Sequence, residues 1–345
     1  MQVLVIGGSR FIGRAVVQRL LMDGHRVTLL NRGQTPDLFG SRVSRVVGDR
    51  SDPDILQRAL VRREFDVVID MIAFREEDTQ RAADRLAGRI GHFIHISTAS
   101  VYLVRDVIHC PFREEDVAGR LAARSETSSS SWLYAYHKRR CEQVLQLLWE
   151  KDQFPYTALR LPMVVGPDDY TERSQAYLER LADGGPILLP DGGLNSWGFL
   201  WVHDVAETVA ANLMNANTFG RAYNVAQREI VSLRQFVETA ARALGRRPPL
   251  VSVPTEWLGR LNLGTAFSPY SHDHDIVLDI SAAQRDLLFE PTPFPVWCEQ
   301  LVAHFRANWN GSPSRLYATR PLELRLVQEL AQLRIPALAP AAAVR

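Results

Sequence analysis

The stretch "VLVIGGSRFIG", residues 3–13, decides the reading of this chain. Apolar residues from Val3 to Ile6 lead into Gly7 and Gly8, then Ser9, Arg10, Phe11 and Ile12, and the stretch closes on Gly13. An amphipathic segment from Arg14 to Met22 follows, so the order is strand, tight turn, helix. Glycines let the backbone of such a turn approach a ligand closely, and the helix N-terminus offers free N–H groups and a positive dipole end to phosphate. A glycine-rich turn alone is a weak signal. Here "HRVTLLNRG" (His25 to Gly33) supplies a second strand at the distance a βαβ unit requires. Residues 7–13 are therefore the expected seat of a dinucleotide pyrophosphate, with an arginine at position 10 where a glycine would be usual.

Outward from this unit, strand and helix signals alternate, the pattern of a parallel sheet covered on both faces by helices. A short strand is expected at "SRVVGD", a helix from about Pro53 to Val61, the buried strand "FDVVIDMIA", a helix from about Asp78 to Ala87 and the strand "HFIHIST". Residues 103–131 break the rhythm, and the small polar run "RSETSSSS" reads as a loop. A long helix from about Trp132 to Trp149 and the strand "YTALRLPMVVGP" come next. The expected fold class is α/β, a Rossmann-type doubly wound parallel sheet with a smaller C-terminal substrate lobe. Residues 1–165 form mainly the dinucleotide-binding domain and 166–310 mainly the lobe, with a segment at about 199–228 returning to the first domain. Residues 311–345 are a helical extension with a frayed tail. Its stripe of Leu322, Leu326, Leu330 and Leu333 suits either docking on its own domain or a homodimer contact.

Composition bounds the function. The chain has 345 residues, 46% of them hydrophobic, and a net charge of +1, which argues against nucleic acid as the main partner. Cys110, Cys141 and Cys298 match no metal-ligand or redox spacing. The first residues enter a strand with no charged leader, and no apolar run is long enough for a bilayer, which reads as a soluble, cytoplasmic protein without a membrane partner. The histidines and aspartates of "SHDHD" (271–275) sit at loop spacing, and no metal site is expected there.

The most informative chemistry lies in "SWLYAYHKRRCEQVL", where Tyr134 and Lys138 stand four apart on one helix face. A tyrosine with an ordinary pKa near ~10 is a poor base at neutral pH unless a nearby cation favours its phenolate. Lys138 can supply that charge. Upstream, the strand "HFIHISTASVY" ends in hydroxyls at Ser97, Thr98 and Ser100, at the edge where open α/β sheets bind ligands. A hydroxyl donor, a tyrosine and a lysine make a proton-transfer set beside a nicotinamide site.

In these residues the chain resembles the extended short-chain dehydrogenase/reductases, the NAD-dependent epimerase/dehydratase group, over about residues 1–305. The landmarks run in order: "GGSRFIG", "GD" at Gly48 and Asp49, "FDVVIDMIA", "STASVY", the Tyr134/Lys138 pair, "LRLPMVVGP", "FLWVHDVA", "GRAYNVA" and "DISAAQRDLLFEPTP". The resemblance implies that Tyr134 is the acid/base on the substrate oxygen, that Lys138 holds the nicotinamide ribose, and that Thr98 donates a hydrogen bond to the same substrate oxygen. It places Asp49, Arg50, Met71 and Ser97 at the cofactor and makes Asp204 structural. It also implies an enzyme moving hydride to or from a secondary alcohol or ketone.

The second strand ends in Asn31 and Arg32, without the acidic residue that pairs with ribose hydroxyls, and Arg10 stands nearby in the turn. Forked guanidinium contacts suit a 2′-phosphate, so NADP(H) is expected to be favoured over NAD(H). For the substrate, Met163 and Trp197 occupy positions where sugar-nucleotide epimerases resembling this chain carry an asparagine and an arginine. With Ser100 they are expected to line a site for a small-molecule substrate, a sugar-like or cyclic polyhydroxylated alcohol or ketone. Arg173 or Arg180 could substitute for the missing cations, which keeps a nucleoside-diphosphate sugar as the alternative. A branch of the family with a similar Arg-containing turn includes plastid proteins described as RNA-binding, so a scaffold without catalysis is the second alternative.

Overall fold

The computed structural model describes residues 1–61, 64–107, 109–123, 130–260, 267–271 and 275–332. Two compact units emerge, one made of Met1–Val164, Phe199–Arg228 and Ile276–Pro291, the other of the described residues in Val165–Gly198, Glu229–Asp275 and from Thr292 onward.

The first unit is built on strands β1 (Gln2–Ile6), β2 (Arg26–Asn31), β3 (Ser44–Val47), β4 (Val67–Asp70), β5 (His92–Thr98) and β6 (Tyr156–Leu161), joined by the later strand Arg221–Asn224. Their order is Arg221–Asn224, β6, β5, β4, β1, β2, β3, and every neighbouring pair is parallel. The crossover helices are α1 (Phe11–Met22), α2 (Ile55–Leu60), α3 (Glu76–Leu86) and α4 (Ser130–Asp152). Because side chains alternate along a strand, β1 feeds both faces. Leu4 and Ile6 pack with residues of α2, α3 and α4 such as Ile55, Ala82 and Leu145, while Val5, Leu29 and Val17 of α1 gather around Gly8. Helix Val202–Ala211 lies against α1, joined to it by the Arg19–Glu207 ion pair.

The doubly wound parallel sheet is the fold class expected. Boundaries differ where local chemistry intervenes. The strand expected through "YTALRLPMVVGP" stops at Leu161 and resumes as Met163–Val165, because Pro162 has no N–H to give a ladder. Helix α1 starts three residues early, at Phe11, and α4 two early, at Ser130.

In the second unit, strand Ile187–Pro190 runs parallel to Leu250–Val253, and Ser196–Trp197 runs antiparallel to Val231–Ser232. Helix Leu233–Ala243 begins in a capping box, Ser232 Oγ accepting from Gln235 N (3.1 Å) and Gln235 Oε1 accepting from Ser232 N (2.8 Å). Helix Arg320–Gln332 docks Leu326 and Leu330 on Leu188, Val253 and Phe267, while Leu322 stays exposed and Leu333 lies outside the described residues. No helix among the described residues is long and apolar enough to cross a membrane.

Candidate functional site

Strand β5 is buried from His92 to Ser97 and ends at Thr98, whose side chain caps the short turn Ala99–Tyr102. Thr98 Oγ1 accepts from Ser100 N (3.2 Å) and donates to Ser100 Oγ (3.1 Å), so these two hydroxyls stand together at the C-terminal edge of the sheet. Ser97 goes the other way. It is buried, and its Oγ donates to Glu142 of α4, which in turn accepts from Arg160 Nε and Nη2 at 2.7–3.1 Å. Arg160 Nη1 reaches the Tyr102 hydroxyl (2.7 Å), and that hydroxyl donates to Asn224 Oδ1 (2.7 Å). The Ser97 side chain, expected at the cofactor, is turned by strand alternation into this buried network.

Helix α4 presents Tyr134, 40% exposed, one turn before Lys138, 2% exposed. The Tyr134 ring lies 6.3 Å from that of Phe74. Lys138 Nζ donates to Ile96 O (2.7 Å) and Ala73 O (2.9 Å) and lies 3.3 Å from His95 Nε2. Among the described residues no carboxylate pairs with it directly. Burial lowers its pKa, opposed by the more distant Cys141, Asp70 and Glu142. The ammonium is thus held by neutral acceptors, and its charge is left uncancelled at contact distance.

The glycine turn fits a dinucleotide. Gly7 and Gly8 take φ of +104° and +96°, and a Cβ on Gly13 would stand 2.6 Å from Gly8 Cα, so the turn closes only without side chains there. Met71 packs directly over Gly7, where an added Cβ would lie 3.1 Å from its own. Phe11 opens α1 with φ +39°, a left-handed conformation unusual for a bulky residue, and Ile12 follows in the first turn of the helix. Arg10 makes no cap with its side chain; its guanidinium sits on Thr35 Oγ1 (2.7 and 3.1 Å). Asn31 Nδ2 donates to Ser9 Oγ (2.9 Å) and its Oδ1 accepts from Gly33 N (3.0 Å), while Arg32 is exposed.

Asp49 is exposed and accepts from Ser51 N and Oγ, which lowers its pKa. Arg50, expected at the cofactor, has protein partners. Its guanidinium grips the fully buried Asp70 at the end of β4 with two bonds (2.6 and 2.9 Å) and donates to Asp78 O (3.0 Å), an arrangement that commits it to the core. Asp70 and His95 are the residues that sequence reasoning missed. Their only signal was a polar side chain inside an otherwise apolar strand.

On the substrate side, Met163 is half-buried in the first unit, and Trp197, 4% exposed, belongs to the second. Arg180 cannot stand in for a diphosphate-binding cation: it is 2% exposed and wrapped by Glu323, Thr319 Oγ1 and the carbonyls of Ala176 and Leu316. Arg173 donates to Thr171 Oγ1 (2.7 Å), with Asp169 at 3.7 Å. Of "SHDHD", residues 272–274 lie outside the described ones; among the described residues no group of acidic, His or Cys side chains could hold a metal. Asp204 is buried in helix Val202–Ala211.

The chain matches a family model, "NAD dependent epimerase/dehydratase family", over residues 3–226. The chain belongs to that family. That family is the extended short-chain dehydrogenase/reductase group which the sequence resembles. Among curated proteins, the 2′-dehydrokanamycin reductase of Streptomyces kanamyceticus is 27% identical over 83% of this chain and 78% of its own. The chloroplast stem-loop binding protein of 41 kDa b of Arabidopsis thaliana is 26% identical over 72% of this chain, and the match spans 64% of that protein, just under two thirds. Among solved structures, the UDP-glucose 4-epimerase of Thermotoga maritima superposes with TM-score 0.72 at 18% identity, covering 89% of this chain and 99% of that one. The dTDP-glucose 4,6-dehydratase of Bacillus anthracis, in complex with NAD, gives 0.70 at 18%, covering 89% and 97%.

The expected preference for NADP(H) is overturned. The family is NAD dependent, and the dehydratases of the same fold from Bacillus anthracis and Streptomyces venezuelae hold NAD. In physical terms, Arg10 is engaged by Thr35 and the amide of Asn31 spans Ser9 and Gly33, so the arginine clamp anticipated for a 2′-phosphate is not assembled.

Proposed function

We propose that this family member transfers hydride at a secondary alcohol carbon of a sugar carried on a nucleoside diphosphate, in an epimerase or dehydratase type of reaction. The observation that carries the chemistry is the buried, uncancelled Lys138 ammonium one helical turn from Tyr134, on the helix packed beside the Thr98 strand end. The substrate class rests on the solved proteins of this fold, which include a UDP-glucose epimerase and dTDP-glucose dehydratases.

Bound NAD supplies the hydride acceptor and donor. Gly7, Gly8 and Gly13 give its pyrophosphate bare backbone at the N-terminus of α1, with Met71 closing one side of the turn. Tyr134 takes the proton of the substrate hydroxyl as hydride leaves and returns it when the carbonyl is reduced. Lys138 favours the phenolate that this requires, because a nearby cation lowers the cost of its charge. Thr98 Oγ1 turns its single hydrogen, which it gives to Ser100 Oγ in the absence of substrate, to the same oxygen.

A second reading, a free aminosugar or cyclitol ketone, draws on one observation: Arg180 is neutralised inside the second unit and unavailable to a diphosphate. The kanamycin-related reductase among its relatives acts on such a molecule by name. Incubation with UDP-, GDP- and dTDP-sugars, followed by analysis of the sugar, tests the choice. Conversion of any of them supports the first reading; turnover confined to free aminosugar or cyclitol ketones replaces it with the second.

A further inference from the structure

An ammonium carries three hydrogens and no acceptor. Those of Lys138 are directed to Ile96 O, Ala73 O and the ring of His95, whose Nε2 is 3.3 Å away. The two carbonyls belong to buried backbone and have fixed places. His95 is different in kind: it is fully buried, and its other nitrogen, Nδ1, has no hydrogen-bond partner. A buried polar atom left unsatisfied costs stability, and an apolar side chain in this strand, between Ile94 and Ile96, would avoid that cost. The imidazole is therefore a poor choice for packing and a good one for meeting Nζ.

We propose that His95 is a positioning residue for Lys138: its unprotonated Nε2 accepts the third ammonium hydrogen and fixes Nζ in place until a ligand hydroxyl takes that hydrogen over. Of the three contacts this is the longest, so it is the one Lys138 gives up first when it turns to the nicotinamide ribose. The inference rests on the proposed role of Lys138. The surroundings favour a neutral ring, since burial, Lys138 and Arg50 all hold the His95 pKa well below 6.5. The charged and titratable groups facing the pair are Asp70 from β4, Arg50 after β3, and Cys141 and Glu142 from α4.

Nitrogen-15 NMR of the histidine rings in the intact protein reads the arrangement directly. The expected result is His95 protonated at Nδ1 and bare at Nε2. A ring protonated at Nε2, donating to a neutral amine, would overturn the proposal. Titration of NAD binding against pH gives a second measurement. In His95→Phe the pH at which affinity is lost should fall by about one unit, because a hydrogen bond to a charged group is removed. His95→Gln, which keeps an acceptor, should recover most of that shift. An unchanged midpoint in His95→Phe refutes the role of His95. If instead Lys138→Met binds NAD with the wild-type pH profile, the functional use of Lys138 fails, while the ring tautomer still decides what His95 does. Should His95→Phe not fold, the tautomer of the wild-type ring remains decisive.

Discussion

Lys138 in the first unit and Arg180 in the second are each 2% exposed, yet they are handled oppositely. Arg180 meets the carboxylate of Glu323 at 2.6 Å, and carbonyl and hydroxyl oxygens take the rest of its guanidinium. Among the described residues Lys138 meets only neutral acceptors. A buried cation cancelled by a carboxylate contributes to holding two segments together but has no field left to act on a third group. One held by carbonyls and an imidazole keeps its charge and can tune a neighbour. The identity of the contacting acceptor thus separates a structural cation from a chemical one at equal burial.

The largest test of this contrast is kinetic. Tyr134→Phe and Lys138→Met should each lower turnover on the true substrate by roughly 10²–10⁴-fold. Tyr134→Phe, which keeps the ring packing, should leave the unfolding midpoint nearly unchanged. Wild-type turnover in Tyr134→Phe would mean that the cation next to it has nothing to tune. On the other side, Glu323→Ala leaves Arg180 buried without its counter-ion and should cost about 3–5 kcal/mol in urea unfolding. Adding Arg180→Met to that variant should recover much of the loss, since a buried pair can often be replaced by apolar residues. A loss below about 1 kcal/mol would break the distinction, for it would put the pair in the range of surface ion pairs.

Acid adds new cations and sharpens the comparison further. His92 is buried, its Nδ1 accepting from Met214 N (3.2 Å) and its Nε2 facing Thr157 Oγ1 (2.9 Å), and burial lowers its pKa from 6.5 to about 4. Between those values the unfolded chain binds a proton that the folded chain refuses. Stability is therefore full above pH 6.5 and lost as pH falls towards 4, by up to about 3 kcal/mol from this residue. His95 works in the same direction. Calorimetry across this range should show the loss, and His92→Gln should reduce it. The smallest effect concerns an exposed cation: Arg10→Ala, which loses the bonds to Thr35, should change stability by less than about 0.5 kcal/mol.

Much of this was legible in the sequence where a local signal exists. Strand β5 has the boundaries expected, and the tight turn at Gly7, Gly8 and Gly13 follows from residue type. Long-range pairing left no such mark. Arg50 follows the "GD" pair and reads as a ligand contact, but Asp70, twenty positions on in sequence and at the end of strand β4, takes it. Arg180 reads as a spare cation because Glu323 is 143 positions away. Ser97 lies next to Thr98 and shares its chemistry, yet a period of two residues sends them to different neighbours.

The strand Arg221–Asn224 closes the edge of the main sheet against β6, and it is made some sixty residues after β6 itself. On a ribosome moving from the N-terminus, the other six strands are complete while that edge still presents unpaired backbone, the kind of edge that invites pairing with another chain. During the interval Tyr102 also lacks the Asn224 amide that accepts its hydroxyl. Nascent chains released at about residue 200 should therefore aggregate or be retained by chaperones, whereas chains released after about residue 230 should have a closed sheet edge.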